Sequence, residues 1–286
     1  ARSCRLSRPL LMRLAFLVLT VSASVLGYEL VLMRALSLAW WHHFAYMVVS
    51  VALLGFGVSG VAVWAARRWL ERHRDAALAL LATGFAVSVP ASFALSQVVP
   101  FDVFQLAWDR WQLALLVLHY VVLFVPFLFG ASCLGLVFVC EASRAHGVYF
   151  WNLVGSAVGA GGAVGAMWLV APEQLPLVVC GVAGLGAVVY CGRRLCALGP
   201  LAVTAAALAY FGLVAPLEVR ISQYKTLPMM LDAGARVLEV RHGPLGTVHV
   251  VAGSTIHLVS GLSMAYEGRE PRQRALVIDG DSASAI

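Results

Sequence analysis

The chain has 286 residues, of which 61% are hydrophobic and only 12% are charged, and its mean hydropathy is +0.87. Soluble globular proteins carry roughly 25% charged residues, so this composition excludes a protein whose main solvent is water. The formal net charge of +6 could attract nucleic acid, but the sequence contains no basic face of the kind that binds it. We therefore expect a membrane protein that has the lipid bilayer as a partner and binds no nucleic acid.

Apolar runs recur through the first three quarters of the chain. A helix needs about 20 apolar residues to cross the hydrocarbon core of a bilayer. The runs predict an all-α, polytopic membrane bundle of about seven transmembrane helices within residues 1–215. The predicted helices cover approximately residues 12–37, 44–66, 76–98, 112–140, 148–170, 175–191 and 198–215.

Arginines are distributed asymmetrically around these helices, and cytoplasmic loops retain an excess of positive charge. Eleven arginines fall on one side of the predicted bundle: Arg2, Arg5, Arg8, Arg13, Arg67, Arg68, Arg72, Arg74, Arg144, Arg193 and Arg194. The other side has Arg34, Arg110 and four tryptophans of the kind found at membrane interfaces. We predict a multi-pass membrane protein with a cytoplasmic N-terminus and a C-terminal segment on the outer, periplasmic-type side.

Four polar side chains interrupt the predicted helices and are candidates for an intramembrane site. Glu29 lies in the first helix, where an ionised carboxylate needs a partner, and Arg34 follows five residues later. A proton or cation site and a structural ion pair, possible with Arg34 or with another helix, are both open for Glu29. His119 and Asn152 could join an internal polar network or bond to neighbouring backbone.

The fifth predicted helix has glycines four residues apart, at Gly155 and Gly159 and again at Gly161 and Gly165. Small residues at this spacing let two helix backbones approach closely. The pattern predicts tight packing inside the bundle, and a seam between two copies of the chain is the alternative.

The pattern changes after the last predicted helix, so a domain boundary is expected near Pro216. Residues 216–286 carry 14 of the 34 charged side chains and contain short runs with the period of a β-strand, at 237–240, 247–251 and 274–278. We expect a small β-rich extramembranous segment. An alternative is that Val277–Asp281 opens a Rossmann-like domain, although no second glycine follows Gly280.

No group of residues in the sequence has the composition of a catalytic or metal site. The six cysteines include no C-x-x-C pair and no Cys/His ligand spacing, and no glycine-rich cofactor loop is present. We therefore assign no catalytic residues, no metal and no cofactor to the chain.

The order of several short motifs resembles that of the bacterial membrane-integrated spermidine synthase-like family, which is polyamine aminopropyltransferase-like. The motifs are Tyr28–Arg34, Asn152–Gly159, Ser222–Lys225, Gly243–Gly246, Gly261–Ser263 and Val277–Asp281. The resemblance implies that residues 216–286 correspond to the N-terminal β-domain of aminopropyltransferases and that a catalytic domain lies beyond residue 286. It also implies aminopropyl transfer from decarboxylated S-adenosylmethionine to putrescine, which uses a glycine-rich cofactor loop and acidic amine-binding residues.

Three functions are compatible with these features. The first is an integral membrane subunit or anchor, spermidine synthase-like but without catalytic machinery in this chain, that scaffolds other membrane or periplasmic subunits or a homo-oligomer. The second is a membrane-bound polyamine aminopropyltransferase whose catalytic domain lies beyond residue 286. The third is an amine or proton transporter, motivated by Glu29.

Overall fold

The computed structural model describes residues 8–41, 43–192, 195–253, 256, 263, 268 and 273–285. Nine α-helices lie within these residues: α1 (Arg8–Ala39), α2 (His43–Ala65), α3 (Arg67–Arg72), α4 (Arg74–Val98), α5 (Arg110–Cys140), α6 (Ala145–Ala166), α7 (Leu175–Cys191), α8 (Leu198–Ala209) and α9 (Thr226–Asp232). A π-helical turn over Tyr210–Val214 extends α8. The fold is therefore mostly helical as far as residue 214.

Each of the seven helices predicted from apolar runs is present, and the sixth has the predicted ends, Leu175–Cys191. The fifth begins at Ala145 and ends at Ala166, not at 148 and 170, because the apolar residues after Ala166 form a turn before Pro172 and do not continue the helix. The sequence pattern missed α3 and α9, which have 6 and 7 residues. Helices this short have no apolar run long enough to be recognised by length.

Four helices in the described part of the chain are long and apolar enough to cross a bilayer, namely α1, α2, α4 and α5. This observation supports the prediction of a membrane protein. The helices α7 and α8 are apolar but shorter, and α6 is rich in glycine and alanine, which add little hydropathy. The structure thus supports four spans by length and apolarity.

Helix α1 lies at the centre of the bundle, in contact with α2, α4, α5, α6 and α7. Its side chains are buried along most of its length, and Leu17, Val21 and Tyr28 have no exposed surface. The outer faces of α2, α5 and α6 instead leave large apolar side chains exposed, as Trp64 and Val158 illustrate. An apolar exterior of this extent suits contact with lipid and would be unusual in water.

The helices run between two ends of the bundle. At the end we call the arginine end, Arg74 of α4 pairs with Glu141 after α5 at 2.9 Å, and Tyr190 of α7 donates to Asp75 at 2.8 Å. Arg13 of α1 lies against Gly192 after α7 at the same end. The opposite end, which we call the sheet end, contains the C-terminus of α1 and the start of α2.

Four antiparallel strands form one sheet in the order β1 (Arg236–Arg241), β2 (Val248–Ala252), β3 (Arg274–Ile278) and β4 (Ser282–Ala285). Alternate residues of β2 and β3 are buried, as the period of a strand requires, and α9 covers them. The resulting small core consists of Leu227, Ala235, Val251, Ile256, Ala275 and Val277. We call residues 216–285 the β-unit, within the gaps in description given above.

The alternative of a Rossmann-like opening at Val277–Asp281 is wrong. A parallel Rossmann unit needs a loop and a helix after the strand, whereas here Ile278 pairs with Ser282 across an antiparallel hairpin. The Asp-Gly dipeptide favours a hairpin because both residue types tolerate a positive φ. In the structure, Asp279 and Gly280 have φ values of 51° and 75°. Two such residues in succession make the turn that matches the twist of a hairpin.

Candidate functional site

The hairpin turn between β3 and β4 faces the C-terminal end of α1. Asp279 is held in a left-handed backbone conformation, and its Oδ1 accepts the backbone N–H of Thr247 at 2.8 Å. The N–H of Asp279 in turn donates to the carbonyl oxygen of Thr247 at 2.8 Å. These two bonds within the β-unit orient the Asp279 carboxylate.

Arg34 of α1 supplies the cation for this carboxylate. Its Nη2 lies 2.6 Å from Asp279 Oδ1 and also donates to Thr247 Oγ1 at 2.8 Å. The Arg34 side chain is only 6% exposed, against 23% for Asp279. A charge this deeply buried is costly unless it is paired and hydrogen-bonded, so the pair depends on the β-unit and bundle staying together.

Lys225 is the only lysine in the sequence, and it is buried at the same place, with 1% of its surface exposed. Its Nζ donates to the carbonyl oxygens of Ser37 at 3.0 Å and Leu38 at 2.9 Å, and to that of Asp279 at 2.8 Å. The last carbonyls of a helix have no partner within the helix. Lys225 therefore caps α1 from outside, at the end where the helix dipole favours a cation.

Burial lowers the pKa of Lys225 to about 8 from an ordinary value of 10.5, although Asp279 and Asp281 oppose that shift. All three hydrogens of the ammonium group have a carbonyl acceptor. The group thus combines a desolvation cost with complete hydrogen bonding.

Further bonds surround Lys225 and complete the contact. Ser222 N–H donates to the last carbonyl of α1, Ala39, at 2.8 Å, and Trp41 Nε1 donates to Asp281 Oδ2 at 3.2 Å. Lys225 Nζ also lies 5.9 Å from the centroid of the Trp41 ring. We call Arg34, Trp41, Lys225, Asp279 and Asp281 the junction, because they join the bundle to the β-unit.

A cavity of about 410 Å³ opens beside the junction, and we call it the outer cavity. Its walls come from the turn between α1 and α2, from the connection between α4 and α5, and from the segment before α9. Aromatic side chains and Asp102 form much of the lining: Trp40, Trp41, Phe101, Phe104 and Tyr224. Gln97, Gln112 and Arg220 contribute polar groups.

Arg34 and Glu29 were candidates for one intramembrane ion pair, but Arg34 pairs with Asp279 instead. Residues five apart on a helix point in directions about 140° apart, whereas neighbours on one face are three or four apart. Glu29 is half-buried on α1.

The two other intramembrane candidates differ in their surroundings. Asn152 of α6 accepts a hydrogen bond from Ser22 of α1 at 2.7 Å, so it joins two helices. His119 of α5 is fully buried, and neither ring nitrogen has a hydrogen-bond partner within the described part of the chain. Its ring lies 4.8 Å from that of Trp40, on the bundle side of the outer cavity.

The four candidate glycines of α6 divide into two pairs. A Cβ atom at Gly155 or Gly159 would collide with the backbone of α1 at Leu19 or Ala23, whereas space is open at Gly161 and Gly165. Gly155 faces Leu19 and Gly159 faces Ala23. Residue numbers therefore increase in the same direction along both helices, so α1 and α6 are parallel. The first pair thus lies at a helix contact inside the bundle, and the second pair faces away from it.

Most residues of the junction and the outer cavity have no local signature in the sequence. Lys225 and Asp279 lie within the short motifs Ser222–Lys225 and Val277–Asp281, but those motifs do not indicate their roles, and nothing next to Asp102 in the sequence marks it. One usable signal was present, because a single lysine in a chain with 19 arginines is unusual. Within the described residues, no group of three or more His, Cys, Asp or Glu side chains could hold a metal ion.

Comparison of the chain with protein-family models, with curated proteins and with solved structures found no match. The resemblance to the spermidine synthase-like family, and the aminopropyltransferase and transporter functions considered with it, therefore stay predictions.

Proposed function

We propose that this chain is an integral membrane anchor, which holds its β-unit at a fixed position on the bilayer surface and scaffolds partner polypeptides there. The observation that carries this proposal is the junction. A buried lysine and a buried arginine, both bonded across the boundary, fasten the β-unit to the bundle more firmly than a flexible linker would. A β-unit held rigidly on the bundle would place a bound partner at a defined distance from the membrane.

Seven membrane crossings are part of the proposal. Four spans follow from length and apolarity, and the contacts at the two ends support α6, α7 and α8 as the others. The helix α6 runs parallel to α1, and Trp168, just after the end of α6, lies beside Gly243 of the β-unit. The helix α7 returns to the arginine end, and α8 leads back to the β-unit. The arginine end would then be cytoplasmic in a bacterial inner membrane, and the β-unit periplasmic.

Strand β1 is the surface that we assign to a partner. All six of its residues are exposed, including Val237, Leu238 and Val240, whose exposed fractions are 38%, 54% and 41%. Among the described strands β1 pairs only with β2, so its other edge has no strand partner within the described residues. Such an edge can accept a strand from another chain, and an uncovered one invites aggregation.

Native mass spectrometry of the chain, purified from its own membranes in mild detergent, tests the proposal. We expect a second polypeptide in a fixed ratio, lost when Leu238 and Val240 are both changed to Ser. The control is Leu245→Ser, since Leu245 is 94% exposed in the same unit but outside the strand, and this variant should retain the partner. A lone monomer that turns over a substrate would refute the anchoring function.

A further inference from the structure

Five aromatic rings line the outer cavity, and neighbouring rings meet at steep angles. The centroids of Trp41 and Phe104 are 5.7 Å apart with their planes at 83°, and those of Phe104 and Tyr224 are 4.6 Å apart at 61°. Deeper in the cavity, Trp40 and Phe101 meet at 5.5 Å and 66°. These rings pack against one another edge to face, and all five also line the cavity.

Asp102 provides a negative charge in this space. Desolvation opposes its ionisation, but hydrogen bonds from Tyr224, from the N–H of Phe104 and from Gln105 together outweigh it and hold the pKa of Asp102 below its usual value. Tyr224 Oη donates to Asp102 Oδ2 at 2.7 Å, and Phe104 N–H donates to Oδ1 at 2.9 Å. The carboxylate is thus ionised at neutral pH and fixed beside two of the aromatic walls.

We propose that the outer cavity binds an organic ammonium group, held against the rings of Phe104 and Tyr224 beside Trp41 and paired with Asp102. Aromatic faces carry negative potential and attract cations, and cages of such rings are a recognised means of binding quaternary ammonium ligands. The volume of about 410 Å³ lies within the range of small-ligand sites.

Lys225 lies next to the cavity, with its Nζ 5.9 Å from the centroid of the Trp41 ring. Its Nζ contacts three carbonyl oxygens, and the residue is not part of the cavity lining. Arg220 does line the cavity, and its side chain is exposed. A cation at that position suits a phosphate next to the ammonium group, so the ligand can be either a soluble amine or the head group of a zwitterionic phospholipid.

This inference goes beyond the anchoring function and does not depend on it. The soluble arm of the test uses isothermal titration calorimetry of the full chain in detergent, with choline and its uncharged isostere 3,3-dimethyl-1-butanol. We expect choline to bind about tenfold more tightly than the isostere. Asp102→Asn should remove most of that difference, while Asp232→Asn, an equal change of charge on an exposed residue outside the cavity, should leave it intact.

The lipid arm uses nanodiscs with equal amounts of phosphatidylcholine and phosphatidylglycerol, followed by native mass spectrometry of the lipids that stay bound. Retention of phosphatidylcholine over phosphatidylglycerol, lost in Asp102→Asn, identifies a lipid head group. Discrimination of choline from the isostere without lipid retention identifies a soluble amine. Either result supports the proposal.

Two controls make a negative result decisive. If Asp102→Asn fails to fold, the comparison of choline with its isostere is repeated with Phe104→Leu, which removes an exposed ring. Near-ultraviolet circular dichroism checks that each variant is folded. The proposal is overturned if choline and its isostere bind equally, or not at all, and no phosphatidylcholine is retained. It is also overturned if Asp232→Asn weakens binding as much as Asp102→Asn.

Discussion

At the scale of single residues, Lys225 links folding of the β-unit to pH. An unfolded lysine holds its proton up to a pH of about 10.4, whereas the buried amine loses it near pH 8. Between these values the unfolded state binds more protons, so stability should rise as pH increases from 8 to 10.5. The effect amounts to about 3 kcal/mol when fully expressed.

Thermal midpoints measured across that pH range, for wild type and Lys225→Met, check this expectation. The variant should be less stable near pH 10.5, because α1 loses its external cap, and its midpoint should lack the rise that wild type gains above pH 8. Only the difference between the two proteins is informative, since tyrosines and cysteines titrate in the same range. Identical pH profiles would contradict the assigned burial of the amine.

Arg34 and Arg241 allow a matched comparison of two arginine–carboxylate pairs. The contact distances are 2.6 Å to Asp279 and 2.7 Å to Glu239, but the arginine side chains are 6% and 79% exposed. Arg34→Gln leaves a largely buried carboxylate without its cation and should cost about 3 kcal/mol. Arg241→Gln should cost less than about 1 kcal/mol, because water screens an exposed pair.

Hydrogen exchange of the backbone amides in β2 and β3 measures this comparison directly. We expect faster exchange across both strands in Arg34→Gln and unchanged exchange in Arg241→Gln. Equal effects of the two substitutions would show that the junction does not depend on the buried pair.

The sequence indicates that Arg34 is a candidate for an ion pair but does not identify its partner. The nearest opposite charge along the chain was Glu29, whereas the actual partner, Asp279, is 245 residues away. Pairing at such a separation depends on the tertiary fold and has no local signature. Asp102 illustrates the same limit, because its role depends on Tyr224, 122 residues further on.

At the scale of elements, the contact between α1 and α6 explains why glycine occurs where it does. Gly159→Leu would force the two backbones apart at Ala23 and should destabilise the bundle by about 1–3 kcal/mol. Gly161→Leu serves as the control, because nothing lies near the site of its Cβ. Thermal midpoints in the same detergent distinguish them, and an equal loss in both would contradict the parallel packing.

Elements were the most predictable level of this structure. Long apolar runs need backbone hydrogen bonds within the segment when lipid surrounds them, so the positions of the seven predicted helices followed from length and composition. The three strands of 5 or 6 residues were also found by their period. The strand β4, Ser282–Ala285, was missed, since its alternating serines and alanines include no β-branched or aromatic residue of the kind that favours a strand.

At the scale of the whole molecule, charge distribution predicts the sidedness of the protein. Seven arginines in the described part of the chain gather at the arginine end: Arg8, Arg13, Arg67, Arg68, Arg72, Arg74 and Arg144. Such clusters stay in the cytoplasm during insertion, so the β-unit should face the other way.

Single cysteines introduced into a cysteine-free chain test this orientation. Leu245→Cys lies in the β-unit and Trp69→Cys in α3 at the arginine end, and both positions are exposed, at 94% and 56%. A thiol reagent that cannot cross membranes should label Leu245→Cys in intact cells, and Trp69→Cys only after permeabilisation. The reverse pattern would overturn the assigned sidedness while leaving the bundle unchanged.

The solitary lysine has a practical consequence for chemistry on the folded protein. No other side chain in these 286 residues carries a primary amine, and this one is enclosed by carbonyl oxygens. Acylating reagents should therefore not modify Lys225 while the sheet is packed against the helices. Each molecule that does acquire an acyl group at Lys225 has opened there at least once, so the modified fraction counts opening events over time.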